Sequence, residues 1–243
     1  MHDERLKQLR PFPNFKLHEL PEIERAEADS IKSNIGDMHE RSTSFWAGRS
    51  LFHSCAERQV FDPSHAATYH KWQLCAARDC AMSIYHFGRI IEGIDESLAH
   101  CPTLREKIDG RAKREARKQF ERRFPSYITL RNALAHSAER SKTAKASQRH
   151  GKLRARTIEI NPMTTVRLGK NASMFILLDN IYGTTFSSMW EGKIIRCDIS
   201  DQSGVWLDEA IDSYWAAFDA IIDPNPEPPP TITFSSEPSP GLE

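Results

Sequence analysis

The sequence predicts a mainly α fold: an up-and-down helical bundle with a small antiparallel β-sheet or hairpin before the C-terminal helix. Two stripes of apolar residues at steps of three and four carry the helical part. One is Leu74, Ala77, Ala81, Ile84, Phe87, Ile91, Ile94 and Leu98; the other is Leu207, Ile211, Tyr214, Phe218 and Ile221. Between them lie short segments of strand character, two of which flank Glu191-Gly192, a dipeptide suited to a two-residue hairpin turn. With 243 residues and 39% hydrophobic content, the chain can build a packed core.

Taken in order, residues 1–20 hold Pro11 and Pro13 without periodicity and read as an irregular leader. A single helical domain is expected over 21–222. Acids at Glu22, Glu24 and Glu27 suit the positive end of a helix that begins after Pro21, and Phe45, Gly48, Phe52 and Cys55 continue it at helical steps. Gly36 is a candidate separator of two helices there. Pro63 and Ser64 open the central helix, with Tyr69, Trp72 and Tyr85 as a second apolar edge, and Cys101-Pro102 ends it. Over 111–124 only Ala112, Ala116, Phe120 and Phe124 are apolar, so that helix should lie on the surface. Pro125 disfavours further helix at Phe124, and Ser126 can cap a new one that turns Tyr127, Leu130 and Leu134 to the core.

A polar, basic loop then runs from about Ala138 to Arg156. The β insertion spans about 156–199, with strands expected at Arg156 to Ile160, Met174 to Leu178, Thr184 to Trp190 and Lys193 to Ile199. A last helix covers about 203–222. The tail 223–243, with Pro224, Pro226, Pro228, Pro229 and Pro230, is too poor in apolar residues to order itself.

Several function classes lose support on composition. No stretch approaches the roughly 18 to 20 apolar residues of a membrane span, and Asp3, Glu4, Arg5 and Lys7 leave no hydrophobic signal region, so a cytoplasmic location without membrane contact is expected. Five cysteines without a Cys-x-x-Cys pair read as reduced structural thiols, Cys75 and Cys80 on a helix with apolar neighbours. Ten scattered histidines offer no metal-ligand spacing, and neither a phosphate-cradling glycine loop nor Gly-x-Ser-x-Gly occurs. No metal or cofactor is therefore expected.

Charge is distributed unevenly although it sums to zero. Between 102 and 156 stand seventeen Lys and Arg against five acids, a net of plus twelve. Such a segment attracts polyanions by steering and counterion release. It surrounds the run Tyr127-Ile-Thr-Leu-Arg131-Asn132-Ala-Leu-Ala-His136, which sets a cation, an amide and an imidazole along one short helix. Arginine can hold a phosphate by paired charged hydrogen bonds, and histidine can carry a proton near neutral pH. Arg131, Asn132 and His136 are accordingly the candidate catalytic residues. Arg114, Arg117, Lys118, Arg122, Arg123, Arg140 and Lys142 are the candidate RNA-binding cations.

The Arg131-Asn132-x-x-x-His136 spacing, between the long helix at about 64–100 and the C-terminal helix, resembles the signature of the HEPN superfamily. The resemblance implies a HEPN-like bundle and a metal-independent endoribonuclease of the toxin or defence kind. It also implies a homodimer whose paired motifs face one cleft, with an antitoxin or other protein as a partner. Helix geometry bears on the dimer, because residues five apart are separated by about 140° around the axis. Arg131 and His136 thus do not share a face, whereas Asn132 and His136 do. Two other function classes remain open on the same residues: a non-catalytic nucleic-acid or nucleotide-binding module, and a helical scaffold.

Overall fold

The computed structural model describes residues 14–135, 157–161, 164–167 and 179–223. The chain is mainly helical, with a small three-stranded antiparallel sheet before the C-terminal helix.

Two long helices form the frame. Helix α1 (Glu22–Phe61) and helix α2 (Ala66–Ala99) are joined by Asp62 and a 3-10 turn at Pro63–His65. They run antiparallel: Gln59 donates to Gln73 near the turn at 2.9 Å, and Cys80 donates to the Phe45 carbonyl further along at 3.5 Å. Asp62 holds the turn by accepting from Ser64 at 2.5 Å and Tyr69 at 3.2 Å. The seam follows a seven-residue rhythm, with Ile31, Met38, Phe45 and Phe52 buried on α1, and Ala77, Ile84, Ile91 and Leu98 on α2. A 3.5-residue repeat keeps two long helices in contact over their whole length.

The expected break at Gly36 does not occur, since α1 is continuous through it. Ile35 and Met38 on either side are both buried, and their packing outweighs the roughly 1 kcal/mol by which glycine weakens a helix interior. Nor does Pro102 simply terminate a helix. It opens helix α3 (Pro102–Lys107), whose first amides donate to Glu24: Thr103 and Leu104 N–H lie 3.2 Å from its carboxylate oxygens. Burial pushes that carboxyl up, but the hydrogen bonds from Thr103 and Leu104 outweigh it and hold the group below its ordinary value.

Helix α4 (Gly110–Arg123) starts where Asp109 accepts from the Arg111 and Ala112 amides, each at 2.9 Å. Its narrow apolar line is buried as expected, with Ala116 and Phe120 each 2% exposed. Phe124 and Pro125 turn the chain into helix α5 (Tyr127–Ala135), which packs on α2 and the sheet. Strands β1 (Thr157–Asn161) and β2 (Thr164–Arg167) form an antiparallel pair. Strands β3 (Asn180–Tyr182), β4 (Thr185–Trp190) and β5 (Lys193–Asp198) form the second sheet, with β4 central. The Glu191-Gly192 turn is present, both residues having positive φ, 48° and 72°. The strand expected over Met174 to Leu178 lies outside the described residues, as do the loop 138–156 and the tail beyond 223.

Helix α6 (Asp201–Phe218), extended by a 3-10 turn at Asp219–Ile221, returns to the core through Leu207, Ile211, Tyr214, Phe218 and Ile221. It meets α1 closely: a Cβ at Gly204 would fall 2.4 Å from the Trp46 ring. Asp208 closes that seam, accepting from Ser42 at 2.6 Å and the Trp46 indole at 3.1 Å. The described part of the leader holds a 3-10 turn at Leu17–Glu19 and is anchored, with Phe15 stacked 5.7 Å from Phe218 and bridged to Ile222. Cys55, Cys80, Cys101 and Cys197 are free and buried, whereas Cys75 faces solvent rather than the apolar neighbours expected for it. Among the described residues no helix is long and apolar enough to cross a membrane.

Candidate nucleic-acid interface

Helices α4 and α5, with the turn between them, carry the described candidate residues. Tyr127 fixes the start of α5. Its ring lies against Gly88 of α2, where any Cβ would come within 2.4 Å of the ring, and its hydroxyl donates to Glu92 at 2.6 Å. Phe120 packs edge-on against the same ring at 5.4 Å. Burial first, and the Glu92 contact second, push the phenol up to about 12. Tyr127 is thus held as a structural anchor, as its place on the core stripe suggested.

One turn on, Arg131 and Asn132 are half-buried and touch each other: the guanidinium donates to the amide oxygen at 3.3 Å. Among the described residues no carboxylate pairs with Arg131. Ile128, one turn before, is 50% exposed on the same helix. His136 follows the last described residue of α5 and lies outside the described residues, together with Arg140 and Lys142.

The five candidate cations of α4 divide into two sets. Arg117 donates to Glu121 at 2.8 Å and also pairs with Asp95 of α2. The Glu121 hydrogen bond, opposed by burial and reinforced by Asp95, holds its guanidinium above the ordinary value. Arg123 pairs with Glu209 of α6 at 2.6 Å and lies 5.4 Å from the centre of the Trp206 ring. Arg114, Lys118 and Arg122 instead point outward and are exposed, Arg122 reaching Glu115 at 3.6 Å. Lys113, which was not among the candidate cations, joins the inward set by pairing with Asp95.

A cavity of about 80 Å³ lies behind the α4–α5 turn, lined by Arg123, Phe124, Tyr127, Arg196, Asp198 and Trp206 among others. Asp198 accepts there from Thr184 at 2.7 Å and from Ser203 at 3.2 Å, beside the first turn of α6. Arg196 and Trp206 were not candidates. They come from β5 and α6, and no local sequence pattern ties them to the α4–α5 turn. Arg111 is different: it lies three residues before Arg114, is exposed, and could have been found by helical spacing alone.

No family model, curated protein or solved structure matches this chain.

Proposed function

We propose that the chain is a HEPN-like bundle acting as a metal-independent endoribonuclease on RNA. The ribose 2′-hydroxyl attacks the adjacent phosphorus, the bond to the 5′-oxygen breaks, and the strand ends in a cyclic phosphate and a free 5′-hydroxyl. His136 takes the proton from the attacking hydroxyl or returns one to the leaving oxygen. Arg131 holds the charge that develops on the phosphate, and Asn132 orients one of them. Because Arg131 and His136 are about 140° apart on an ideal helix, a homodimer supplies the missing group from a second motif, and two histidines divide the acid and base roles. A toxin or defence role, with an antitoxin as protein partner, belongs to the same proposal.

The observation that supports it best is the state of Arg131. Lys113, Arg117 and Arg123 are each paired to a carboxylate, whereas Arg131 has only the neutral Asn132 amide among the described residues. A half-buried guanidinium so placed keeps its bidentate donors for an incoming phosphate.

Incubation of the purified chain with RNA in excess EDTA tests this. Wild type should cleave, and His136→Ala and Arg131→Ala should each lose about a hundredfold or more in rate. Intact RNA after prolonged incubation with wild type, or equal cleavage by His136→Ala, would sink the catalytic assignment. Salt-sensitive binding without cleavage would favour a non-catalytic nucleic-acid-binding module instead, a second reading supported by the exposed cations of α4.

A further inference from the structure

Helix α4 carries seven cations and two acids in fourteen residues. At 100° per residue, Arg111, Arg114, Lys118 and Arg122 fall within about 80° of arc, centred about 180° from the buried Ala116 and Phe120. All four are exposed. The row runs along the outer face of α4 for about 16 Å, at a rise of 1.5 Å per residue. Lys113, Arg117 and Arg123 lie within about 80° of the buried direction, where Asp95 and Glu209 from neighbouring helices reach and neutralise them. Only Glu115, contacting Arg122 at 3.6 Å, pairs with a member of the row among the described residues. Protein surfaces ordinarily intersperse both signs, so a single-sign row in a chain of zero net charge concentrates a local positive field.

We infer that this row is a phosphate-tracking surface that holds one RNA strand by its backbone, without reading sequence, and delivers it to the α5 motif. The fold turns outward four cations at regular steps and satisfies the others internally, which is the arrangement a linear polyanion can follow and a single small anion cannot. No base-reading group interrupts the row, so the binding follows charge density and salt. The inference rests on RNA being the ligand, and it stands apart from catalysis because the row contains none of the motif residues.

The test measures binding of the full chain to a labelled twenty-nucleotide oligouridylate and to its 2′-deoxy counterpart, which has the same phosphates but not the hydroxyl that cleavage requires. One variant carries Arg111→Gln, Arg114→Gln, Lys118→Gln and Arg122→Gln. A second, with the same change in net charge, carries Arg58→Gln, Lys71→Gln, Arg105→Gln and Lys193→Gln, all exposed and off the row. Single strands lose about 0.7 in log affinity per decade of salt for each phosphate contacted, so four contacts account for about 2.8 of the slope. Raising salt fourfold should therefore weaken the row's share of wild-type binding by about fiftyfold. The row variant should bind both strands at least about tenfold more weakly and lose most of that slope, with the off-row variant close to wild type.

Equal weakening by the two variants would mean that net charge alone acts, and would overturn the inference. So would an unchanged slope in the row variant, failure of wild type to bind either strand, or displacement of both strands by polyglutamate at lower charge concentration than by unlabelled RNA, which would mark an acidic protein as the occupant. Row-dependent binding without cleavage leaves the surface standing and removes the nuclease assignment. Cleavage with an unchanged KM in the row variant does the reverse.

Discussion

The seam between α1 and α6 and the outer face of α4 treat polar groups in opposite ways. At the seam, Ser42 and Trp46 lie 166 and 162 residues before Asp208 in sequence, yet they donate to it at 2.6 and 3.1 Å. On α4, Arg111, Arg114, Lys118 and Arg122 are neighbours in sequence and turn away from every other helix. The difference separates polar groups that serve the fold from those left available to a ligand. A half-buried carboxylate that closes a helix seam is satisfied within the protein, because leaving its donors unpaired is costly, whereas an exposed cation contributes little to stability by itself.

The contrast can be broken or sharpened by substitution. The largest effect is expected where no polar group is involved. Phe120 contacts Phe87, Phe124 and Tyr127, with ring centres 5.3, 5.1 and 5.4 Å away, and Phe120→Ala should remove about 3–5 kcal/mol of stability in urea unfolding. A loss below 1 kcal/mol would mean that α4 is not locked to the bundle through that ring. Next comes the seam, where Asp208→Ala leaves the Ser42 hydroxyl and the Trp46 indole without their acceptor. The expected loss is about 2–3 kcal/mol, accompanied by a change in the near-ultraviolet signal of Trp46. A neutral result would show that water replaces Asp208 freely and that the seam resembles the outer face after all.

Smaller and pH-dependent is the role of Glu24, whose carboxyl is held below its ordinary value by Thr103 and Leu104 against the opposing pull of burial. A depressed folded pKa stabilises the protein above the unfolded pKa, and that contribution is lost as pH falls through the folded one. Unfolding free energy measured downward from pH 6 should thus fall less steeply in Glu24→Gln than in wild type, and parallel curves would remove Glu24 from acid unfolding. The smallest effect should come from Arg131→Ala, which is expected to shift stability by less than about 0.5 kcal/mol while lowering the proposed RNA cleavage by about a hundredfold or more. Unfolding of this variant at appreciably lower urea would recast Arg131 as a structural residue.

Local sequence was informative where an element is defined by its own periodicity. The stripes of α2 and α6, the narrow line of α4, and the Glu191-Gly192 turn were all legible, because a helix or hairpin that buries one face must repeat apolar residues at its own period. Gly36 misled because a weak local preference yields to the packing of Ile35 and Met38. Short α3 escaped notice because it depends on Glu24, a residue about eighty positions away that accepts its first amides.

The candidate site divides in the same manner. By itself the sequence determined that seven cations share α4 and that Arg131 and Asn132 are adjacent on a helix, since residue spacing dictates which side chains share a helical face. Apart from Glu121 beside Arg117 and Glu115 beside Arg122, both on α4 itself, the acids that neutralise those cations were decided only by tertiary structure. Asp95 lies on α2 and Glu209 on α6, and no pattern within α4 announces that they will meet Lys113, Arg117 and Arg123. Charge pairing acts over a few ångströms of space, and only the packing of separate helices brings such distant positions that close.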